Sequence, residues 1–136
     1  MAEKASEEFG LKIIRILAIG ALLASAASIL RAEPNRIWTG TLVDASCYAT
    51  DTTQSGNDHL DMKRCGTACL KMGKPAGIVT ADKKFLVLLA PSPDIAEYVG
   101  QTIRVTGKFR NGAILVDKLE VKTNTGWITA KLSTMM

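Results

Sequence analysis

The chain has one histidine, three cysteines and four prolines in 136 residues, and aromatic residues make up only 5% of it. With one histidine and no Gly-x-Ser-x-Gly sequence, a Ser-His-Asp hydrolase lacks its parts. None of Gly66, Gly73 and Gly77 has the Lys-Ser/Thr context of a phosphate-binding loop. Three cysteines are too few for a disulfide-dense miniprotein, and an odd number cannot all pair within one chain. With 11 glycines and 47% hydrophobic residues, the chain is neither collagen-like nor a charge-dominated disordered polymer. No Lys/Arg run exceeds two residues, so 17 basic against 13 acidic residues (net +4) make no nucleic-acid footprint. Asp44, Asp51, Asp58 and Asp61 do not have the spacing of a glycine-bearing calcium loop and read as a solvated polar segment.

What is present begins with an apolar run, Ile13 to Leu30, broken only by Arg15 and preceded by Lys4 and Lys12. Basic residues, an apolar stretch and then small Ala and Ser form the pattern of a secretory signal. The rival reading is an uncleaved membrane anchor, which needs roughly 20 apolar residues, whereas Ile16 to Leu30 supplies 15. Residues 1–32 are therefore expected to be a signal peptide or an N-terminal membrane anchor. The rest of the chain would be periplasmic or secreted, or held at the inner membrane by that segment. Removing residues 1–32 takes away four basic and three acidic residues, and the net charge falls to +3. The 104 residues that remain suit one core of modest size.

Their pattern is mainly β. Ile37 to Asp44 alternates as a strand, with Gly40 marking a bend or bulge. Gly77 to Ala81 and Phe85 to Ala90 follow as strands. Pro91 to Asp94 opens a one-turn helix over Ile95 to Tyr98. Gln101 to Phe109 puts Ile103, Val105 and Gly107 on one face. The Asn111-Gly112 pair then predicts a tight hairpin into Ala113 to Lys122. Five strands, with a short helix between the third and fourth, is the order of a small OB-like β-barrel spanning 33–122; an open sandwich is the alternative. Residues 123–136 form a tail in which Trp127-Ile128-Thr129 is a candidate edge strand. Trp38, Phe85, Tyr98, Phe109 and Trp127 could stack on bases in such a barrel. Most of them occupy strand positions that a core claims, so no nucleic-acid partner is expected.

All three cysteines and the histidine fall inside the insertion 45–76, between the first two strands: Cys47, His59, Cys65 and Cys69. Asp58 is positioned to cap a helix from His59 to Met72. On that helix His59, Met62, Cys65, Cys69 and Met72 share an arc of roughly 140°. In an oxidising compartment two cysteines pair by default. The first expectation is a structural disulfide from Cys47 to Cys65 or Cys69, closing a loop of about 20 residues for about 3 kcal/mol. A Cys65–Cys69 bridge along one helical face would be strained. The alternatives are a metal site for Zn²⁺ or Cu(I) built from Cys47, His59, Cys65 and Cys69, with methionine thioethers added only for copper, or redox-active thiols. Cys65-x-x-x-Cys69 is not zinc-knuckle spacing, and no haem-attachment sequence occurs.

Several segments together carry a resemblance. They are Trp38-Thr39-Gly40-Thr41-Leu42-Val43-Asp44 with Cys47; His59, Cys65 and Cys69; Gly77 to Phe85; and Val105-Thr106-Gly107. Over nearly the whole segment after residue 32 the chain resembles a group of small exported bacterial proteins, themselves similar to periplasmic OB-fold barrels. Lys83-Lys84 stands where that group more often has Asp-Gly. The resemblance implies export and a Cys/His-bearing loop, and it implies no activity. A non-enzymatic binding or structural module of the cell envelope is the expected class. Its partner would be an envelope protein or a small ligand, with membrane contact only through an uncleaved N-terminal segment.

Overall fold

The computed structural model describes residues 33–133 except Leu60. The signal or anchor expected at 1–32 lies outside the described residues, among which no helix is long and apolar enough to cross a membrane. The elements run β1 (Arg36–Asp44), α1 (Ala45–Thr50), α2 (Cys65–Lys71), β2 (Ala76–Thr80), β3 (Phe85–Leu89) and α3 (Ser92–Ile95). A 3-10 turn (Ala96–Tyr98), β4 (Thr102–Arg110), β5 (Ala113–Thr123) and β6 (Gly126–Thr129) complete the order.

The protein is mainly β, with six strands in the order β3-β2-β1-β4-β5-β6. Neighbours in that order are antiparallel. β3 also pairs with β5 in parallel through Val87–Ala113, Leu88–Ile114 and Leu89–Leu115. Strands β1 to β5 thus form a circuit of pairings, joined at one seam by three registers, while β6 lies outside it. This differs from the five-stranded barrel expected: the sixth strand extends the sheet beyond β5, so it is not a clean barrel.

Alternation sets the inner face. Ile103 and Val105 of β4, Ile114 and Leu119 of β5, Leu42 of β1 and Ile78 of β2 are fully buried in one cluster. Two glycines allow strands to approach closely. A Cβ on Gly107 would collide with the Leu115 carbonyl, and the β4–β5 register shifts between Thr106 and Gly107. Registers on both sides of Gly40 run without a shift. No bulge is therefore present there; Gly40 makes room for the Val79 carbonyl. Asn111 (φ 50°) and Gly112 (φ 84°) form the tight turn between β4 and β5, since both positions of such a turn need positive φ.

The end of β1 is buried on both faces. Leu42 enters the main core, while Val43 meets Val79, Tyr48 of α1 and the Phe85 ring in a second cluster. The Tyr48 and Phe85 ring centroids are 5.2 Å apart. With period two, Asp44 returns to the side of Leu42, where α2 packs its fully buried Leu70. A fully buried aspartate thus stands at the junction of sheet and insertion.

Candidate functional site

The site is built on three pieces of the insertion. Asp44 caps α1: its Oδ1 accepts from the Ser46 backbone N–H at 2.9 Å and the Cys47 N–H at 3.5 Å. A carboxylate at this position satisfies orphan N–H groups of the first turn. The cap fixes Cys47 one turn into α1, and it leaves Oδ2 buried with no hydrogen-bond partner.

α2 carries Cys65 and Cys69 one turn apart. The helix expected from His59 starts only at Cys65, because Arg64 takes a left-handed conformation (φ 53°) before it. That conformation costs of order 1 kcal/mol in a non-glycine residue. It is held by the Asp58 carboxylate, which accepts from the Arg64 N–H at 2.8 Å, and by the Arg64–Glu97 ion pair. Asp58 therefore caps the turn before Cys65 and not a helix at His59. The five-residue arc fails with the helix: Met62 and Met72 are exposed, at 63% and 73%.

α2 is pinned from both sides. Asn57 Oδ1 accepts from the Thr67 N–H at 2.8 Å, its main-chain carbonyl accepts from Gly66 at 3.0 Å, and Thr67 Oγ1 donates to the Ala96 carbonyl at 3.1 Å. A Cβ on Gly66 would press into Val99 at 2.6 Å. The glycine that weakens this helix in isolation thus lets it lie close against the segment after the 3-10 turn.

His59 is 4% exposed, and its main chain forms a two-bond bridge with Met62. Its Nε2 lies 3.0 Å from the Gly56 carbonyl. A carbonyl only accepts, so Nε2 is the donor, and in the neutral ring Nδ1 then keeps its lone pair. Nδ1 is buried without a partner.

Among the described residues, donor atoms gather as two sets of three that share Cys47. One is Cys47, His59 and Cys65; the other is Asp44, Cys47 and Cys69. Within each set the atoms lie within 4.8 Å of one another. All four residues expected from the sequence are present, and Asp44 joins them. The sequence reading treated Asp44 as a strand end, although an Asp directly before Ala-Ser-Cys-Tyr carries an N-cap signal. The structural disulfide expected from Cys47 is absent: all three cysteines are free thiols.

The electrostatics suit a cation. Burial pushes the Cys47 thiol up to about 11 and the Cys69 thiol up to about 12, and the Asp44 carboxylate beside each adds to the rise. Without a cation both sulfurs are neutral at pH 7. A bound divalent ion inverts this and takes the sulfur as thiolate. Elsewhere an open, hydroxyl-lined groove of about 320 Å³ crosses β1 and β2, bordered by Thr39, Thr41, Ser55, Thr80, Lys83 and Thr102. It contains none of the five donors.

No protein family, curated protein or solved structure matches this chain.

Proposed function

We propose that the protein is a metal-binding module of the cell envelope, exported by its N-terminal apolar segment, whose insertion holds a borderline ion with Cys47, His59 and Cys65, while Cys69 stands with Asp44 in the adjoining triad. One observation carries this reading. The buried Nδ1 of His59 has no partner while its Nε2 is anchored on a backbone carbonyl, and two thiols stand within 4.8 Å of the ring. A ligating histidine characteristically donates its other N–H to a carbonyl or carboxylate, which fixes tautomer and ring orientation. Leaving such a nitrogen buried and unmatched costs about 1–3 kcal/mol.

The mixed donors favour Zn²⁺ over Cu(I), since imidazole and carboxylate accompany the sulfurs and the methionines that would suit copper are exposed. Raised thiol pKa values speak against redox-active cysteines, which need a stabilised thiolate. An OB-like barrel is the scaffold proposed. The β1-β2-β3-β5-β4 circuit, the parallel β3–β5 seam and the helix between β3 and β4 support it. In that architecture the connection between the first two strands borders the ligand face. The protein would serve as an ion-holding or ion-dependent docking element for an envelope partner.

The test is elemental analysis of full-length protein purified from its native compartment, paired with thiol titration before and after chelation. Bound zinc, with thiols that react only after chelation, is the expected result. Absence of metal together with two oxidised cysteines would return the insertion to a structural staple and overturn the proposal.

A further inference from the structure

The division of the donors goes beyond a single-ion site. We infer that the insertion holds two divalent ions bridged by the Cys47 thiolate, one bound by His59 and Cys65 and the other by Asp44 and Cys69. This rests on the metal-binding reading above and concerns how many ions the site takes and which residues hold each.

Three observations converge on two ions. The donors form two triads with Cys47 common to both, not one group of four. Each triad contains a residue with an unpartnered buried atom: His59, at Nδ1, in the first and Asp44, at Oδ2, in the second. A single ion at the histidine triad would leave the Asp44 oxygen, on a fully buried residue, still unmatched. The third observation is charge. Three thiolates and one carboxylate carry four negative charges, and neutral His59 adds none. Two divalent ions cancel them, whereas a single ion at the histidine triad, with Cys69 kept as a thiol, leaves the Asp44 charge in excess in a site where Asp44 and His59 are almost wholly removed from water. Uncompensated buried charge is among the most costly features a fold can hold.

The geometry leaves room for this arrangement. A tetrahedral zinc spaces sulfur and nitrogen donors by roughly 3.5–4 Å, and each triad falls within 4.8 Å. The cap on Asp44 Oδ1 orients its carboxylate and leaves Oδ2 as its oxygen without a hydrogen-bond partner. On loading, each thiol gives its proton to solvent as its sulfur–metal bond forms, with no change in oxidation state. Three protein donors per ion leave each ion one further position for water or a partner's side chain.

The experiment is titration of the reduced, metal-free full-length chain with Co²⁺ and separately with Zn²⁺. It is read by the sulfur-to-cobalt charge-transfer band and by native mass spectrometry. Two equivalents are expected in the unaltered protein, with magnetic coupling between the two Co²⁺ ions through the shared sulfur. Asp44→Asn keeps a side-chain oxygen for the α1 cap, and it should bind one equivalent with the histidine triad intact. His59→Gln should also bind one equivalent, at the other triad. Cys47→Ser should lose the coupling and weaken both ions by at least tenfold. Saturation of the unaltered protein at one equivalent overturns the two-ion inference and leaves the single-ion reading standing. Retention of two equivalents in Asp44→Asn overturns the assignment of Asp44, and no binding at all overturns both proposals.

Discussion

The sheet and the insertion are stabilised by different means. In the sheet, β4 alternates buried Ile103 and Val105 with outward Arg104, Thr106 and Lys108, and the main core is apolar throughout. In the insertion, the described residues between Asp51 and Arg64 form no helix or named strand. Its order comes from polar contacts: Asn57 with Thr67, Asp58 with Lys63 and Arg64, and Asp51 with Thr53. Apolar burial stabilises the first region whatever ion is present. Exposed ion pairs contribute about 0–1 kcal/mol each, so the second region depends on a few buried hydrogen bonds and on its donors being satisfied.

Four perturbations separate the two regions. The largest effect is expected from Ile103→Ala. It removes a fully buried side chain from the centre of the sheet and should lower the unfolding free energy by about 2–5 kcal/mol. Denaturant melting should show both regions unfolding earlier. Chelation of a loaded site comes next, since an ion held at a thousandfold excess over its dissociation constant stabilises the folded state by about 4 kcal/mol. Hydrogen exchange should then rise across residues 45–75 while β4 and β5 stay protected. Equal loss of protection in both regions would erase the contrast.

Asn57→Ala should cost about 1–3 kcal/mol, because it leaves the Thr67 N–H without its acceptor beside a buried helix. Its signature is a weakened ion affinity by isothermal titration, with little change in sheet exchange. The smallest effect belongs to the sheet's polar face. Arg104, and then Lys118, hold the Glu120 carboxyl down to about 2 from its ordinary 4.5. A depressed carboxyl stabilises the fold above its unfolded pKa and loses that contribution as pH falls from about 4.5 toward 2. Glu120→Gln should flatten this acid limb of the stability–pH curve and leave the neutral region nearly unchanged, measured by melting at stepped pH. Arg104 also stacks over Trp127 at 4.5 Å, so the variant keeps one contact that ties β6 to the sheet.

How much could be read in advance follows the same division. Strands β1 to β5 were legible to within about a residue at most ends, because a two-residue alternation and an Asn-Gly turn are local signals. Trp127 to Thr129 was legible only as a candidate edge and proves to be part of β6, paired with β5. In the insertion, apolar periodicity pointed to one helix from His59 to Met72. The chain instead breaks at Arg64, where a left-handed residue is held by the nearby Asp58 and by Glu97 from outside the local window. α1 went unread because a six-residue helix carries little periodic signal.

The amino-acid sequence by itself determined the mainly β class, the inner face of β4, the short helix before β4 and the concentration of Cys47, His59, Cys65 and Cys69 in one connection. These depend on neighbours within a few residues. The tertiary structure alone decided that the thiols are free, that the methionines are exposed and that Asp44 stands beside Cys47 and Cys69. Hydrogen bonding explains this last case. An aspartate that caps a helix through one oxygen looks the same in sequence whether its other oxygen meets water or lies buried against a thiol. Only the packing of α2 over the end of β1 removes the water and leaves that oxygen without a partner.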